Sequence, residues 1–386
     1  MSRRSLLDPG VKTALAAAAG AGAVVFLLGL KADPHRAMAD LLLANVYFIM
    51  LAAAAMAFVA IQNLAGAGWP VLFRRVPEAM SAYLPVGAVL MLAVLAGSGV
   101  LYHWAHPESL VHDELLHAKS GYLNLKGWTL RTAVALAAWW VFSRALVLHS
   151  RRQDLDGDIE HTHRAKRLSA AFLVVFGITF TLASIDWVMS LEPHWYSTIF
   201  PWYMFGGAFV QAVAGIALLT VLLHGRGLFR EFNDAHRHDL GKYLFAFGVF
   251  WAYLWFCQFL LIWYSNIPEE IAYYAARRSR GWLSVQALSL GANFLVPGIL
   301  LLAASAKKNA GLLAVGCVSL CAGRWLDLYT MIMPSVSASA RPSWIDLPVF
   351  LGVAGLFILV FDRAFAAAEP VALKDPYLSE SLHHHG

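Results

Sequence analysis

Apolar stretches of about twenty residues recur along the whole 386-residue chain, and no other feature constrains its fold as strongly. A helix of that length crosses the roughly 30 Å hydrocarbon core of a bilayer. The stretches lie near residues 12–30, 40–65, 80–101, 128–149, 168–188, 197–224, 242–265, 282–305, 310–333 and 344–367. No series of alternating segments typical of a membrane β-barrel is present in the sequence. We therefore predict an all-α integral membrane protein with about ten transmembrane helices.

The composition agrees with this class and differs from that of soluble domains. Hydrophobic residues make up 59% of the chain and charged residues 14%, whereas soluble domains carry about 25% charged residues. No connection between helices is long enough for a soluble domain, so we predict a single polytopic membrane domain over 1–367. A polar tail, 368–386, is expected to be extended. The helix count allows two four-helix bundles, at 39–188 and 197–333, with a peripheral helix at each end.

The basic residues predict the orientation. Eighteen of the 29 lysines and arginines fall on one side of the predicted helices and eight on the other, with the rest inside helices. The positive-inside rule then places both termini in the cytoplasm, for a multi-pass protein of the bacterial inner (plasma) membrane. The net charge of +5 is attributed to this topology and to anionic lipid headgroups, not to nucleic-acid binding.

Sequence motifs for redox cofactors, metals and nucleotides are absent. All 15 histidines lie in loops, in the tail or at helix ends, so no intramembrane pair is available to ligate a b-type haem. Neither a cysteine set for an iron–sulfur cluster nor a nucleotide-binding fingerprint occurs. The cysteines at 257, 317 and 321 are interpreted as small buried hydrophobes. We predict that the chain binds no metal and no redox cofactor of its own.

The stretch 186–203 carries three protonatable groups beside several aromatic residues. Asp186 ends the fifth apolar stretch, and Glu192 and His194 follow in a short turn. A carboxylate at the edge of a lipid-facing segment is costly unless it is hydrated or paired, so such residues indicate function. We predict a proton port on the outer side of the membrane. The alternative is an aromatic interfacial turn whose charges simply face water.

A second set of polar residues lies inside the predicted helices. Arg324 and Asp327 are three residues apart on the ninth helix, so they share a face and can pair. We predict that the pair gates or relays protons; the alternative is a structural link between helices. Tyr329 extends that face outward. Gln258 and Asn293 can each join helices by hydrogen bonds, or together, with Gln211 and Gln286, line a chain of waters leading to Asp327.

Two stretches carry a resemblance to a known family. Residues 184–198, SIDWVMSLEPHWYST, and residues 258–270, QFLLIWYSNIPEE, resemble the ActF membrane subunits of bacterial alternative complex III. Those subunits are similar to the NrfD and polysulfide-reductase membrane subunits, and the likeness runs over most of the chain. The resemblance implies ten helices, with the second to fifth and the sixth to ninth forming two four-helix bundles. It also implies a non-catalytic subunit of a quinol:electron-acceptor oxidoreductase.

The same resemblance implies cofactors and partners. Haem c and iron–sulfur clusters would belong to partner subunits, and the substrate would be a quinone such as menaquinone. The expected partners are an ActC-like paralogue, an iron–sulfur subunit, multihaem cytochrome c subunits and a terminal cytochrome oxidase. If this chain also offers a quinone-binding surface, its candidates are Asp186, His103 and Trp187. Two alternatives stay open from the residues: a secondary transporter, and a purely structural membrane subunit.

Overall fold

A computed structural model describes residues 6–106, 108 and 113–385. Within these ranges, ten helical stretches are long and apolar enough to span a membrane, and no strand occurs. They are α1 Pro9–Ala32, α2 Pro34–Ala65, α3 Val71–Ala96, α4 Leu125–Asp156, α5 Glu160–Leu191, α6 Phe200–Gly225, α7 Asp234–Ser265, α8 Trp282–Leu300, α9 Ala310–Ser335 and α10 Asp346–Ala366. The prediction of an all-α, multi-pass membrane protein is confirmed.

The helices form two four-membered rings. In the first, α2 packs on α3, α3 on α4, α4 on α5, and α5 returns to α2; α6 to α9 close a second ring in the same order. Helix α2 also packs on α6 and α9, so the rings share a wall, while α1 and α10 pack on each other and on α2. The predicted bundles and peripheral helices are therefore present.

Helix α2 lies at the centre because its surface is apolar on every side and mostly small. Its apolar window is entirely buried inside the protein. Residues 52–55 are four consecutive alanines, each with no exposed surface, which lets neighbouring helices approach closely. A helix that is hydrophobic all round belongs in an interior.

Helix α8 is irregular near its middle. A π-helical turn, Gly291–Leu295, interrupts it just before Pro297. Proline has no backbone N–H to donate, so the carbonyls of the preceding turn need other partners. The hydroxyl of Ser319 on α9 donates to the carbonyl of Ala292 at 2.8 Å. The kink expected at Pro297 thus takes the form of a wide turn that α9 supports.

We call the end of the bundles that carries residues 6 and 385 the terminal face, and the other end the opposite face. At the terminal face, the tail is not extended as expected. It contains a short helix, Leu378–Leu382, and the hydroxyl of fully buried Ser381 donates to the carbonyl of Trp69 at 2.7 Å. The expectation was wrong because the polar groups of the tail pair with the loops instead of with water.

Candidate functional site

An ion pair lies fully buried inside the second bundle. Arg324 donates from Nη1 to Oδ2 of Asp327 at 2.5 Å, and the two side chains are 0% and 2% exposed. Asp327 also accepts a hydrogen bond from the Tyr203 hydroxyl of α6 and one from the Trp251 indole N–H of α7, the latter at 3.1 Å. The predicted pairing on α9 is present, and the carboxylate joins three helices.

The guanidinium of Arg324 fits because α6 carries a glycine opposite it. A Cβ atom on Gly207 would lie 2.6 Å from Nη1 and 2.9 Å from Cζ of Arg324. The Sδ atom of Met204 lies 3.4 Å from Nη2. A buried ion pair is stable only when its geometry is good and its remaining polar atoms are satisfied. Gly207 therefore sets where the charge of Arg324 can sit.

Gly207→Ala is expected to displace the guanidinium and to lower the thermal midpoint of the purified protein. Overpacking a tight interior typically costs about 1–3 kcal/mol. The control is Gly206→Ala, since a Cβ atom there would meet only side-chain carbons at 3.4 Å. Thermal unfolding of both variants in the same detergent gives the comparison. Equal midpoints for the two variants would show that Gly207 does not confine Arg324.

A second ion pair lies at the opposite face. Arg277 follows the short helix Pro268–Ala276 and is only 2% exposed. Both of its terminal nitrogens donate to the carboxylate of Glu192, whose side chain is 25% exposed. Its Nε donates to the carbonyl of Thr330 at 2.8 Å and its Nη2 to that of Met331 at 3.1 Å. Arg277 thus connects the turn after α5 to the end of α9.

Two aromatic rings complete this second cluster. Trp195 and Tyr273 stack with centroids 3.8 Å apart, and the Arg277 guanidinium carbon lies 3.4 Å from the Tyr273 centroid. Burial raises the pKa of the Tyr273 phenol far above its usual value; Arg277 lowers it, while the carboxylates of Glu192 and Asp327 raise it further. The Tyr273 hydroxyl therefore interacts electrostatically with both carboxylates.

The two ion pairs are joined through α9. Thr330 donates from its hydroxyl to the carbonyl of Asp327 at 2.8 Å, while its own carbonyl accepts from Arg277. Three residues of helix span about 4.5 Å along the axis. A polar connection therefore runs from partly exposed Glu192, through Arg277 and Thr330, to the backbone carbonyl of Asp327, the residue whose carboxylate pairs with Arg324.

Each helix of the second bundle contributes at least one buried polar atom without a hydrogen-bond partner among the described residues. These atoms are Oε1 of Gln211, Oε1 of Gln258, Oδ1 of Asn293, and Nε of Arg324 and Nε1 of Trp325 on α9. Buried polar groups are normally paired, with protein or with water, so each of these atoms is able to bind a water molecule.

Gln258 and Asn293 both point into the bundle, where the sequence placed them. Gln258 donates to the Tyr274 hydroxyl at 3.2 Å, and burial raises the pKa of Tyr274 to about 12. Asn293 donates to the carbonyl of Ser289 at 3.0 Å. A Cβ atom on Gly323 of α9 would lie 2.7 Å from the Asn293 amide. Asn293 is thus held in the wide turn of α8, against the α9 turn that precedes Arg324.

The three groups of the predicted proton port do not come together. Asp186 lies in the first bundle, where Arg131 of α4 donates to its two oxygens at 2.7 and 3.0 Å. Glu192 pairs with Arg277, as described above. His194 is exposed and lies 2.5 Å from the carboxylate of Asp113 at the opposite face. Only Glu192 reaches the buried polar groups of the second bundle.

Other predicted residues lie elsewhere. Tyr329 does not join the Arg324 cluster: its hydroxyl accepts from Arg36 at 2.6 Å and donates to Asp346 at 3.2 Å, in a separate ion-pair cluster between α2, α9 and α10. Trp187 is fully buried and donates to the Thr132 hydroxyl at 3.0 Å. His103 is exposed at the opposite face.

Several residues of the site could not be predicted from the sequence. Arg277 was interpreted only as one of the basic residues that set the membrane orientation, because two further arginines stand close to it at 278 and 280. Tyr203, Trp251 and Tyr273 lie in aromatic-rich segments, where an interfacial belt is the usual interpretation. Their proximity to carboxylates follows from the tertiary fold alone.

Comparison of the chain with protein-family models and with curated proteins gives no match. Among the described residues, no group of three or more histidine, cysteine or acidic side chains is arranged to hold a metal ion. The function is therefore argued from the site.

Proposed function

We propose that this chain is a membrane subunit of a quinol:electron-acceptor oxidoreductase, and that its second bundle carries protons between the opposite face and the buried Arg324–Asp327 pair. The observation that supports the proposal is that two ion pairs, Glu192–Arg277 and Arg324–Asp327, lie at neighbouring turns of α9 and are linked through the backbone carbonyls of Thr330 and Asp327. Ionisable residues kept inside a membrane domain are costly and usually mark an ion or proton pathway.

The chemistry of the site suits proton transfer. Glu192 is the only carboxylate of the connection in contact with solvent, so it is the entry group. Asp327 is the buried acceptor, and it is paired with the fixed charge of Arg324. The unpaired oxygens of Gln211, Gln258 and Asn293 lie in the same bundle and can order the waters that pass a proton onward.

The resemblance of the two motifs supports the complex. The segment 184–198 supplies Glu192 and Trp195, and the segment 258–270 supplies Gln258 and leads directly to Tyr273. The motifs therefore meet in one contact network. In such a complex the haem c and iron–sulfur clusters belong to partner subunits, including multihaem cytochromes. By the positive-inside rule the terminal face is cytoplasmic.

One observation favours a second candidate, a secondary transporter. Transporters bind their substrates at interrupted helices near the middle of the membrane. The π-helical turn Gly291–Leu295 of α8 interrupts a spanning helix and holds the buried amide of Asn293. The redox-complex proposal takes precedence because two ion pairs, Glu192–Arg277 and Arg324–Asp327, lie at neighbouring turns of α9.

Purification separates these candidates. The protein, extracted in mild detergent, is expected to co-elute with haem-containing and iron–sulfur chains and to oxidise quinol in their company. Haem staining, identification of the co-eluting chains and a quinol oxidation assay are the measurements. A protein that elutes alone and moves a solute across reconstituted vesicles would instead establish the transporter.

Tyr203→Phe tests the proton pathway within the assembled complex. The change removes only the hydroxyl that donates to Asp327 and keeps the ring. A hydrogen bond to a charged acceptor is worth about 1.5–3 kcal/mol, so proton-coupled turnover is expected to fall by roughly tenfold or more. The control is Tyr243→Phe, whose hydroxyl accepts from Gln62 away from the Asp327 cluster. Equal rates in both variants would remove Tyr203 from the pathway.

A further inference from the structure

A groove open to the membrane runs along the first bundle, between α3 and α4. Its cavity holds about 380 Å³, and its lining is mostly aliphatic and aromatic. It continues into an adjoining cavity toward the opposite face, with which it shares Leu95, Thr129 and Ala133. The outermost lining residue of the adjoining cavity is Lys126, in the first turn of α4.

Small side chains on facing helices create the groove. Ala88 on α3 and Ala133 and Ala137 on α4 all line it, and methyl groups do not fill the space between two helices. Trp140 lines the end nearest the middle of the membrane. Lys126 and Trp140 are fourteen residues apart, so the groove is about 21 Å long along α4. This length is more than half the thickness of a hydrocarbon core, which is roughly 30 Å.

The interior of the groove is apolar and therefore suits a hydrocarbon chain. Its two hydroxyl groups are already engaged within the protein: Thr129 donates to the carbonyl of Leu125 at 2.7 Å, and Thr132 accepts from the indole of Trp187 at 3.0 Å. The mouth of the groove is charged, because Lys126 is exposed and has no ion-pair or hydrogen-bond partner among the described residues. A ligand that matches both ends has a long apolar chain and a negative headgroup.

We propose that this groove binds one acyl chain of an anionic phospholipid, with the lipid phosphate paired to Lys126. The length of the groove suits an extended chain lying parallel to α4, and a lysine near the membrane surface attracts anionic headgroups. A quinone carbonyl accepts a hydrogen bond from Lys126 but brings no negative charge to balance it. The bound chain packs against Trp128, whose indole donates to the carbonyl of Asp186 at 2.9 Å. Lipid occupancy therefore supports the helix end that carries the Arg131–Asp186 pair.

Native mass spectrometry tests this proposal. The protein is purified in mild detergent with its co-eluting chains, depleted of lipid, and titrated separately with phosphatidylglycerol and phosphatidylcholine. The wild type is expected to retain one tightly bound phosphatidylglycerol. Ala133→Trp fills the groove and should lose it, and Ala137→Phe repeats the block in case the first variant folds poorly.

Lys126→Ala tests the headgroup contact. A basic residue near the surface contributes about 1 kcal/mol to binding an anionic lipid, so the preference for phosphatidylglycerol over phosphatidylcholine should fall about fivefold. The control is Lys31→Ala, an exposed lysine at the opposite-face end of α1, outside the groove. Unchanged lipid counts in both blocking variants would overturn the proposal. So would equal lipid preference in the two lysine variants, or a co-purified quinone or apolar protein segment that phosphatidylglycerol does not displace.

Discussion

Replacing Asp327 with asparagine is expected to abolish proton-coupled turnover of the assembled complex and to weaken the second bundle. Asparagine keeps the size of the side chain but leaves Arg324 without its counter-charge at a site with no solvent exposure. Removing one partner of a buried ion pair costs about 3–5 kcal/mol. Turnover, proton release and thermal midpoint are the measurements.

Two further variants separate the functional effect from the structural one. Asp346→Asn breaks another buried pair, that with Arg36, so it should also destabilise the protein while proton-coupled turnover survives in the complex that assembles. Arg324→Met combined with Asp327→Leu replaces the pair with apolar side chains, which often restores stability. The stable double variant should remain inactive. Normal turnover in Asp327→Asn would make the pair a structural link only.

Arg277→Gln is expected to destabilise the protein about as strongly as Asp327→Asn. Arg277 holds Glu192, two carbonyls at the end of α9, and the ring of Tyr273. Its loss leaves buried carbonyl groups without donors, and each costs about 1–3 kcal/mol. Thermal unfolding and limited proteolysis between α7 and α8 are the measurements. The control is Arg278→Gln, the exposed neighbour.

A double-mutant cycle measures how much of this effect belongs to the Glu192 contact. Glu192→Gln alone, Arg277→Gln alone and the double variant give the coupling free energy, which for such close pairs is about 0.5–3 kcal/mol. A coupling near zero would mean that Arg277 acts only through the carbonyls of α9. The proposed entry group would then lose its connection to Asp327.

The helices were predictable because the bilayer imposes one length and one polarity on every spanning segment. Helix α9 matches its predicted stretch to within two residues, whereas α2 begins six residues and α3 nine residues before the predicted start. The Arg324–Asp327 pair was also predictable, since residues three apart on a helix are neighbours. The Glu192–Arg277 pair was not, because its partners are 85 residues apart and meet only through the tertiary packing of the turn after α5 and the segment after α7.

The turn 186–203 shows that residues close in sequence need not lie together in the fold. Sequence proximity suggested that Asp186, Glu192 and His194 act together, yet each finds a different partner. A turn between two helices can direct neighbouring side chains toward different bundles. A single sequence does not show which bundle each side chain faces. The tail was misjudged for a related reason, since polarity alone does not distinguish hydrated residues from those paired with a loop.

The complete enclosure of α2 has a consequence for how the protein is made. Its central stretch is apolar enough to insert into the bilayer as soon as it is synthesised. Its neighbours α5, α6, α9 and α10 follow it by roughly one hundred to three hundred residues. The newly inserted helix must therefore be surrounded by lipid first, and the later helices must displace that lipid as they arrive. A ribosome stalled before α9 would release a chain whose alanine-rich central helix still faces the membrane, a form that membrane proteases can distinguish from the finished protein.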